Sequence, residues 1–298
     1  MEHMDSKDFR AGYVTIIGLP NVGKSTLLNS LLDIKLSIIS PRPQTTRKRI
    51  LGILNGRDSQ IVFLDTPGVI RPRYNLQSRM MDYVDQALND ADLILYLADS
   101  TSEQKAHSVI IQALRKQNVP VILLLNKIDL VEKAKLLTRI EAFKDAFPFK
   151  EIIPISALKQ DGIDRLHKAM LAFLPAGPPF YPPDQLTDQP ERFFVAEIIR
   201  EKVFEQFREE VPYAVDVQIE EFKERPSKKD YIYAIIFVER KSQKGILIGQ
   251  QGKALKKVGA ASRKDIEHFL SREVYLDLHV KLAEDWRKDE IKLKRLGY

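Results

Sequence analysis

Gly18-Leu-Pro-Asn-Val-Gly23-Lys24-Ser25-Thr26 stands where an apolar run ends and an amphipathic run begins. The spacing G-x-x-x-x-G-K-[ST] at a strand-to-helix turn suits a cradle for phosphate. Glycines let backbone N–H groups converge on an anion at a helix N-terminus, where the peptide dipoles favour negative charge. In such a cradle Gly18, Asn21, Val22, Gly23 and Thr26 line the phosphates, Lys24 bridges the β- and γ-phosphates, and the Ser25 hydroxyl ligates Mg²⁺.

Three further motifs follow at strand ends. Asp65-Thr66-Pro67-Gly68 offers a carboxylate to hold Mg²⁺ through water and a glycine N–H that approaches the γ-phosphate without a Cβ in the way. Between the two motifs, Pro43-Gln44-Thr45-Thr46-Arg47 supplies a threonine for the metal; Thr45 and Thr46 both qualify, and Thr46 is favoured. Asn126-Lys127-Ile128-Asp129 follows an apolar run, and an aspartate there can accept from both N1–H and the 2-amino group of guanine. Adenine has no such donor pair and would leave a buried carboxylate unpaired, a cost of about 1–3 kcal/mol. The Lys127 stem can lie on the base and Asn126 can tie the two loops together. Ser156-Ala157-Leu158 adds a backbone N–H, expected at Ala157, for guanine O6. The expected ligand is GTP. Val69, just after Asp65–Gly68, cannot align a water, so Lys24, Thr46, Gly68 and the metal are the expected catalytic apparatus, with no side-chain base.

These residues need a scaffold. YVTIIG, ILGILN, QIVFLD, LILYLAD, VILLLN and EIIPIS read as buried strands. Amphipathic stretches at Lys24–Asp33, Ser78–Asn89, Glu103–Gln117, Val131–Ala146 and Asp161–Leu174 read as helices. The alternation predicts a mostly parallel sheet covered on both faces, with ILGILN and QIVFLD as an antiparallel hairpin at one edge. The expected division is an N-terminal extension (1–11), this domain (12–176), a proline-rich linker (177–190) and a smaller α+β domain (191–298). The whole chain has 298 residues, a net charge of +6, and no cysteine, which excludes disulfides and thiolate chemistry. Five scattered histidines give no zinc pattern. No apolar run approaches the roughly 20 residues of a bilayer span.

The smaller domain carries Gly249-Gln250-Gln251-Gly252, with Ile246 and Ile248 before it and Lys253, Lys256 and Lys257 after it. From Arg240 to Lys264 there are eight cations and no carboxylate. A loop opening a basic helix in this way presents N–H groups and charge to a polyanion. Ile246 and Ile248 either line a groove for bases or pack in the core. A short helix is expected to start near Gly252 and a longer one to run over Ala260–Leu270. The tail Trp286–Tyr298 is open to RNA, membrane or the domain core.

NVGKST, QTTR, DTPG, NKID and SAL together resemble the Era family of bacterial GTPases, within the TrmE-Era-EngA-like superfamily. That resemblance implies an α/β P-loop NTPase G domain followed by an α+β type II KH domain, whose G-x-x-G loop clamps about four nucleotides of single-stranded RNA. It further implies a monomeric, Mg²⁺-dependent GTPase that binds near the 3′ end of 16S rRNA. Such proteins act in assembly of the small (30S) ribosomal subunit and work in the cytoplasm, in some bacteria also peripherally on the inner membrane. Some relatives recruit K⁺ through the residue at Asn21, which has the alternative role of shaping the loop. A GTP-dependent regulator docking on protein or membrane through its KH-like module is the second function class compatible with these motifs.

Overall fold

The computed structural model describes residues 9–40, 42–103 and 106–298. Most of the expected N-terminal extension, and part of the helix expected over Glu103–Gln117, lie outside the described residues. Two compact units emerge. The first holds the chain up to Ser37, Thr46–Arg71 and Met80–Asp188; the second holds Ile38–Thr45, Pro72–Arg79 and Gln189–Tyr298.

The first unit is built on strands β1 (Arg10–Gly18), β2 (Ile50–Asn55), β3 (Ser59–Asp65), β4 (Leu93–Asp99), β5 (Val121–Asn126) and β6 (Glu151–Pro154). Their order is β2-β3-β1-β4-β5-β6. All neighbours pair in parallel except β2 with β3, the expected edge hairpin. Val121–Asn126 and Ser59–Asp65 are buried along their whole length, as continuous apolar runs covered on both faces must be. Helices α1 (Lys24–Leu32), α2 (Asn75–Asn89), α3 (Ser108–Leu114), α4 (Lys133–Lys144) and α5 (Ile163–Phe173) occupy the connections. The first turn of α2 counts with the second unit. β6 ends earlier than EIIPIS suggests: past Pro154, Ser156 instead pairs with Asp161 across a tight turn. The proline-rich stretch covers the exposed edge of β2. Ile53 N donates to Leu186 O at 2.8 Å and Thr187 Oγ1 to Leu51 O at 2.7 Å, which protects an edge otherwise open to strand addition.

The second unit contains α6 (Glu191–Gln206), β7 (Asp216–Lys223), β8 (Asp230–Val238), α7 (Lys241–Ile248), α8 (Lys253–Leu270), β9 (Val274–Leu282) and α9 (Glu290–Arg295). Its sheet runs β7-β8-β9, antiparallel then parallel. Here the order of helices departs from expectation. One helix, α7, precedes the G-x-x-G loop, and one uninterrupted helix of 18 residues, α8, follows it. α8 continues through Gly259 because Leu255, Val258, Ile266 and Leu270 form one stripe packed on the core. A mid-helix glycine costs about 1 kcal/mol, and each buried aliphatic side chain returns about 1.5–3 kcal/mol. The tail belongs to this core: Trp286 and Leu293 are fully buried, and Trp286 Nε1 donates to Ala214 O at 2.9 Å.

Candidate functional site

In a parallel sheet of this kind the loops after the strand C-termini meet at one edge, and there the motifs gather. The loop after β1 is shaped by close approaches. A Cβ on Gly18 would lie 2.4 Å from Leu97 O, and one on Gly23, at φ +101, only 2.3 Å from Asn126 Nδ2. A Cβ on Gly68 would lie 2.8 Å from Pro20, so the segment after β3 rests directly on this loop. Lys24 is buried, its Nζ donating to Leu19 O at 3.0 Å and Gly18 O at 3.3 Å. Burial lowers its pKa to about 8, an effect the neighbouring Asp65 charge partly offsets.

Asp65 is fully buried at the end of β3, and burial raises its pKa against the opposing influence of Lys24 and two hydroxyls. Its Oδ2 accepts from Ser25 Oγ and from Ser37 Oγ, each at 3.0 Å. Ser25 Oγ is 2.9 Å from Thr46 Oγ1. Asp65 Oδ1 is buried without a hydrogen-bond partner among the described residues. Two hydroxyls beside one carboxylate with an orphaned oxygen fit Mg²⁺, which keeps several waters and takes few protein ligands. Thr46 is the threonine facing this pocket, whereas Thr45 O accepts from Arg200 Nη2 at 2.5 Å within the second unit. Ser37 is a pocket residue that no motif spacing signals.

At the base end Asn126 bridges two loops, Nδ2 donating to Val22 O at 2.8 Å and Oδ1 accepting from Ala157 N at 2.9 Å. Lys127, with φ 68, sends Nζ to Asn21 O at 2.9 Å and to Asp99 Oδ2 at 2.7 Å. Asp99 is a second partner that the motifs do not reveal; the Lys127 and Thr101 contacts outweigh burial and lower its pKa. Asp129 is anchored on one oxygen by Ser156 Oγ at 2.6 Å. Two expectations change here. Asp129 is exposed rather than buried, so its desolvation, and the penalty against adenine, arise only when a base covers it. The Ala157 N–H, expected to be open to O6, here donates to Asn126 Oδ1. Leu158 itself is 73% exposed beside that position.

In the second unit Gly249, at φ 69, is fixed by contact: a Cβ would lie 2.7 Å from Ala254 Cβ. Gly252, at φ 75, has nothing within 4 Å of that position, and Gln251 also takes a left-handed conformation at φ 52. The loop projects into solvent at the N-terminus of α8, with Gln250, Lys253, Lys256 and Lys257 exposed around it. Ile246 is 49% exposed on α7, whereas Ile248 packs partly on the core. The two isoleucines therefore divide between surface and core.

Residues 13–127 match the family described as 50S ribosome-binding GTPase, and residues 210–287 match the KH domain family. GTPase Era of Geobacter metallireducens is 50% identical over 297 residues, covering 99% of this chain and 100% of that protein. A crystal structure of Era with MgGDPNP and nucleotides 1506–1542 of 16S ribosomal RNA superposes with a TM-score of 0.94 at 43% identity, covering 97% of this chain and 99% of that one. An Aquifex aeolicus Era variant bound to GDP and AlF4⁻ matches at TM-score 0.94 and 42% identity over the same shares of the two chains. With a nucleotide pocket, a G-x-x-G loop and full-length similarity to these relatives, the chain belongs to the Era family of GTPases.

Proposed function

We propose that this protein is a GTP-hydrolysing switch that binds single-stranded RNA near the 3′ end of 16S rRNA and acts in assembly of the small ribosomal subunit. The observation that carries this reading is the presence in one chain of a buried hydroxyl–carboxylate pocket beside Lys24 and an open G-x-x-G loop on a basic helix. The protein works as a monomer in the cytoplasm and meets the inner membrane only peripherally. Among the described residues no helix is long and apolar enough to cross a membrane.

Ser25, Thr46 and Asp65 would hold Mg²⁺, which when bound neutralises charge on the β- and γ-phosphates. Gly18, Asn21, Val22, Gly23, Lys24 and Thr26 surround the phosphates, and Asn126, Lys127, Asp129 and the Ser156–Leu158 turn take the guanine. Lys24 would stabilise charge that develops on the leaving phosphate oxygens, and the Gly68 N–H would serve as a donor to the γ-phosphate. Val69 is buried at 7% exposure and offers no atom to orient a water, so unassisted hydrolysis is slow. Asn21 would be the residue to hold K⁺ if one is recruited, its alternative role being to shape the loop; K⁺ use predicts slower turnover when Na⁺ replaces K⁺ at equal ionic strength, and equal rates leave Asn21 the loop-shaping role.

Nucleotide state gates RNA binding through the two chain segments that border the γ-phosphate elements. Ile38–Thr45, directly before Thr46, and Pro72–Arg79, shortly after Gly68, both count with the second unit. Within that unit Ile39 N donates to Glu201 Oε1 at 3.2 Å, Leu76 N to Arg287 O at 2.9 Å and Asn75 Nδ2 to Lys288 O at 2.8 Å. Arg287 also pairs with Glu239, just before α7, and lies 5.0 Å over the Tyr74 ring. A fluorescent 16S 3′-end oligonucleotide titrated with the protein in GDPNP and in GDP tests the reading. Tighter binding with GDPNP is expected; equal affinities contradict the gating, and no binding in either state contradicts the RNA role.

A further inference from the structure

The three-stranded sheet has a second face. Alternation along β8 and β9 sends Ile232, Ala234, Ile236, Val238, Val274 and Val280 into the helix-covered core. The residues between them point the other way. Strand register sets Lys223, Tyr231 and Tyr275 in one row across this outer face, Glu221, Tyr233 and Asp277 in the next, and His279 beside Ile235.

One half of the face is covered by the chain's own end. Gln218 Nε2 donates to Arg295 O at 2.8 Å, Tyr298 Oη donates to Asp216 Oδ1 at 2.8 Å, and Ile235 is only 1% exposed. The other half is aromatic and open. The Tyr231 and Tyr275 rings stack with centroids 6.0 Å apart at 14°, and the Arg225 guanidinium lies 4.9 Å over the Tyr231 ring. Tyr233 and His279 meet edge to face at 5.2 Å. Asp277 is engaged in place, accepting from Tyr231 Oη at 3.3 Å and lying 2.9 Å from His279 Nε2. Tyr275 is 58% exposed. The exposed turn Lys223–Lys229 at the end of the tyrosine row holds four cations and one carboxylate.

We propose that this open half is a second RNA platform, on which an unstacked base of single-stranded RNA lies against Tyr275 while the β7–β8 turn takes its phosphates. Exposed rings with cations at their margin are the chemistry of single-strand nucleic-acid recognition, since every base has a π-face and a flanking phosphate. The sheet then presents RNA-binding surfaces on both sides: the G-x-x-G loop between α7 and α8, and the tyrosine row on the face those helices leave open. This inference rests on the RNA role proposed above and extends it to a longer strand.

The test uses the full chain and two fluorescent RNAs from the 3′ end of 16S rRNA. One has about 6 nucleotides, enough for the roughly four that a G-x-x-G loop clamps, and the other about 30. Tyr275→Ala and Tyr231→Ala are each expected to weaken the long RNA by on the order of ten-fold and leave the short one unchanged. Tyr275→Phe, which keeps the ring, should match wild type, while Gly252→Asp should weaken both RNAs. Unchanged binding of the long RNA by both alanine variants would overturn the platform and leave the face to a protein partner. An equal loss for both RNAs would also overturn it, because the rings would then act through the fold. If wild type bound neither RNA, the underlying RNA role would fail as well, a result distinct from the others.

Discussion

At Gly23 a Cβ would stand 2.3 Å from Asn126 Nδ2; at Gly252 it would meet nothing within 4 Å. Both glycines have positive φ, and each is the N-cap residue of a helix. Around Gly23 the polar groups are buried and cross-linked, with Asn126, Lys127 and Asp99 fixing the loop from two other strands. Around Gly252 there are exposed lysines and solvent. The difference matches the ligands. A mononucleotide must be held in one pose with water excluded and its base discriminated, which rewards preorganisation. A polymer approaches an open clamp from solvent and is held by charge and stacking, which rewards access.

The largest effect expected separates the two regions outright. Lys24→Ala should reduce GTP turnover by on the order of 10²–10³-fold, as loss of a preorganised charge stabiliser does, while RNA affinity in the GDP state stays within error. Phosphate release and anisotropy measured on the same preparation check both halves. The reverse experiment is Gly252→Asp against Gly252→Asn. Asparagine tolerates the left-handed backbone, so the pair isolates charge. The aspartate should lower RNA affinity by roughly 10–100-fold, equivalent to losing a charge-assisted hydrogen bond and adding repulsion, and the asparagine far less. Turnover should be unaffected by either; a matched loss in both variants would mean that backbone strain, not charge, is responsible.

A smaller contrast probes packing. Gly252→Ala should cost only the left-handed backbone penalty of about 1–2 kcal/mol. Gly23→Ala adds a clash with Asn126 and should cost about 2–4 kcal/mol, read from denaturant midpoints. Equal costs would mean that the two loops are built alike after all. The smallest effect is protonic. Lys24 has a folded pKa lowered to about 8 from 10.5. Below about pH 8 folded and unfolded chains both carry the proton and the burial cost is fully present. As pH rises from there the folded chain loses a proton that the unfolded chain keeps, so the nucleotide-free protein gains stability. A bound phosphate restores the charge, so GTP binding near pH 8 takes up a proton and weakens as pH rises further. Calorimetry in two buffers of different ionisation enthalpy reads this uptake; identical heats would contradict it.

What could be read from residues alone follows the same division. The strands of the first unit are apolar runs, and most motifs sit at the end of one, so the parallel sheet and its edge hairpin are legible, whereas the strand order is not. The hydroxyl of Ser37 on Asp65 and the Asp99–Lys127 pair were not, because chain folding rather than spacing brings those partners together. Ala157 shows the same limit: its identity was visible, but the direction of its N–H was not. In the second unit α7 was missed because KSQKGILI carries a glycine and no clear 3.6-residue period. Its start is secured by Gln243, whose Oε1 accepts from Arg240 N at 3.0 Å. The two helices expected after Gly252 are one, because the core stripe carries α8 through Gly259. The C-terminal tail could not be placed because a single tryptophan and two leucines do not name the surface they cover.

The proposed selection of the base by Asp129 is the step on which the proposed switch depends, and titration calorimetry of the wild type and Asp129→Asn with GTP, ATP and xanthosine triphosphate measures it directly. The wild type should bind GTP and discriminate strongly against ATP, and the variant should transfer its preference to the xanthine nucleotide, whose 2-oxo group accepts from the new amide. Comparable affinity of the wild type for ATP and GTP, or an unchanged preference in the variant, would contradict the account.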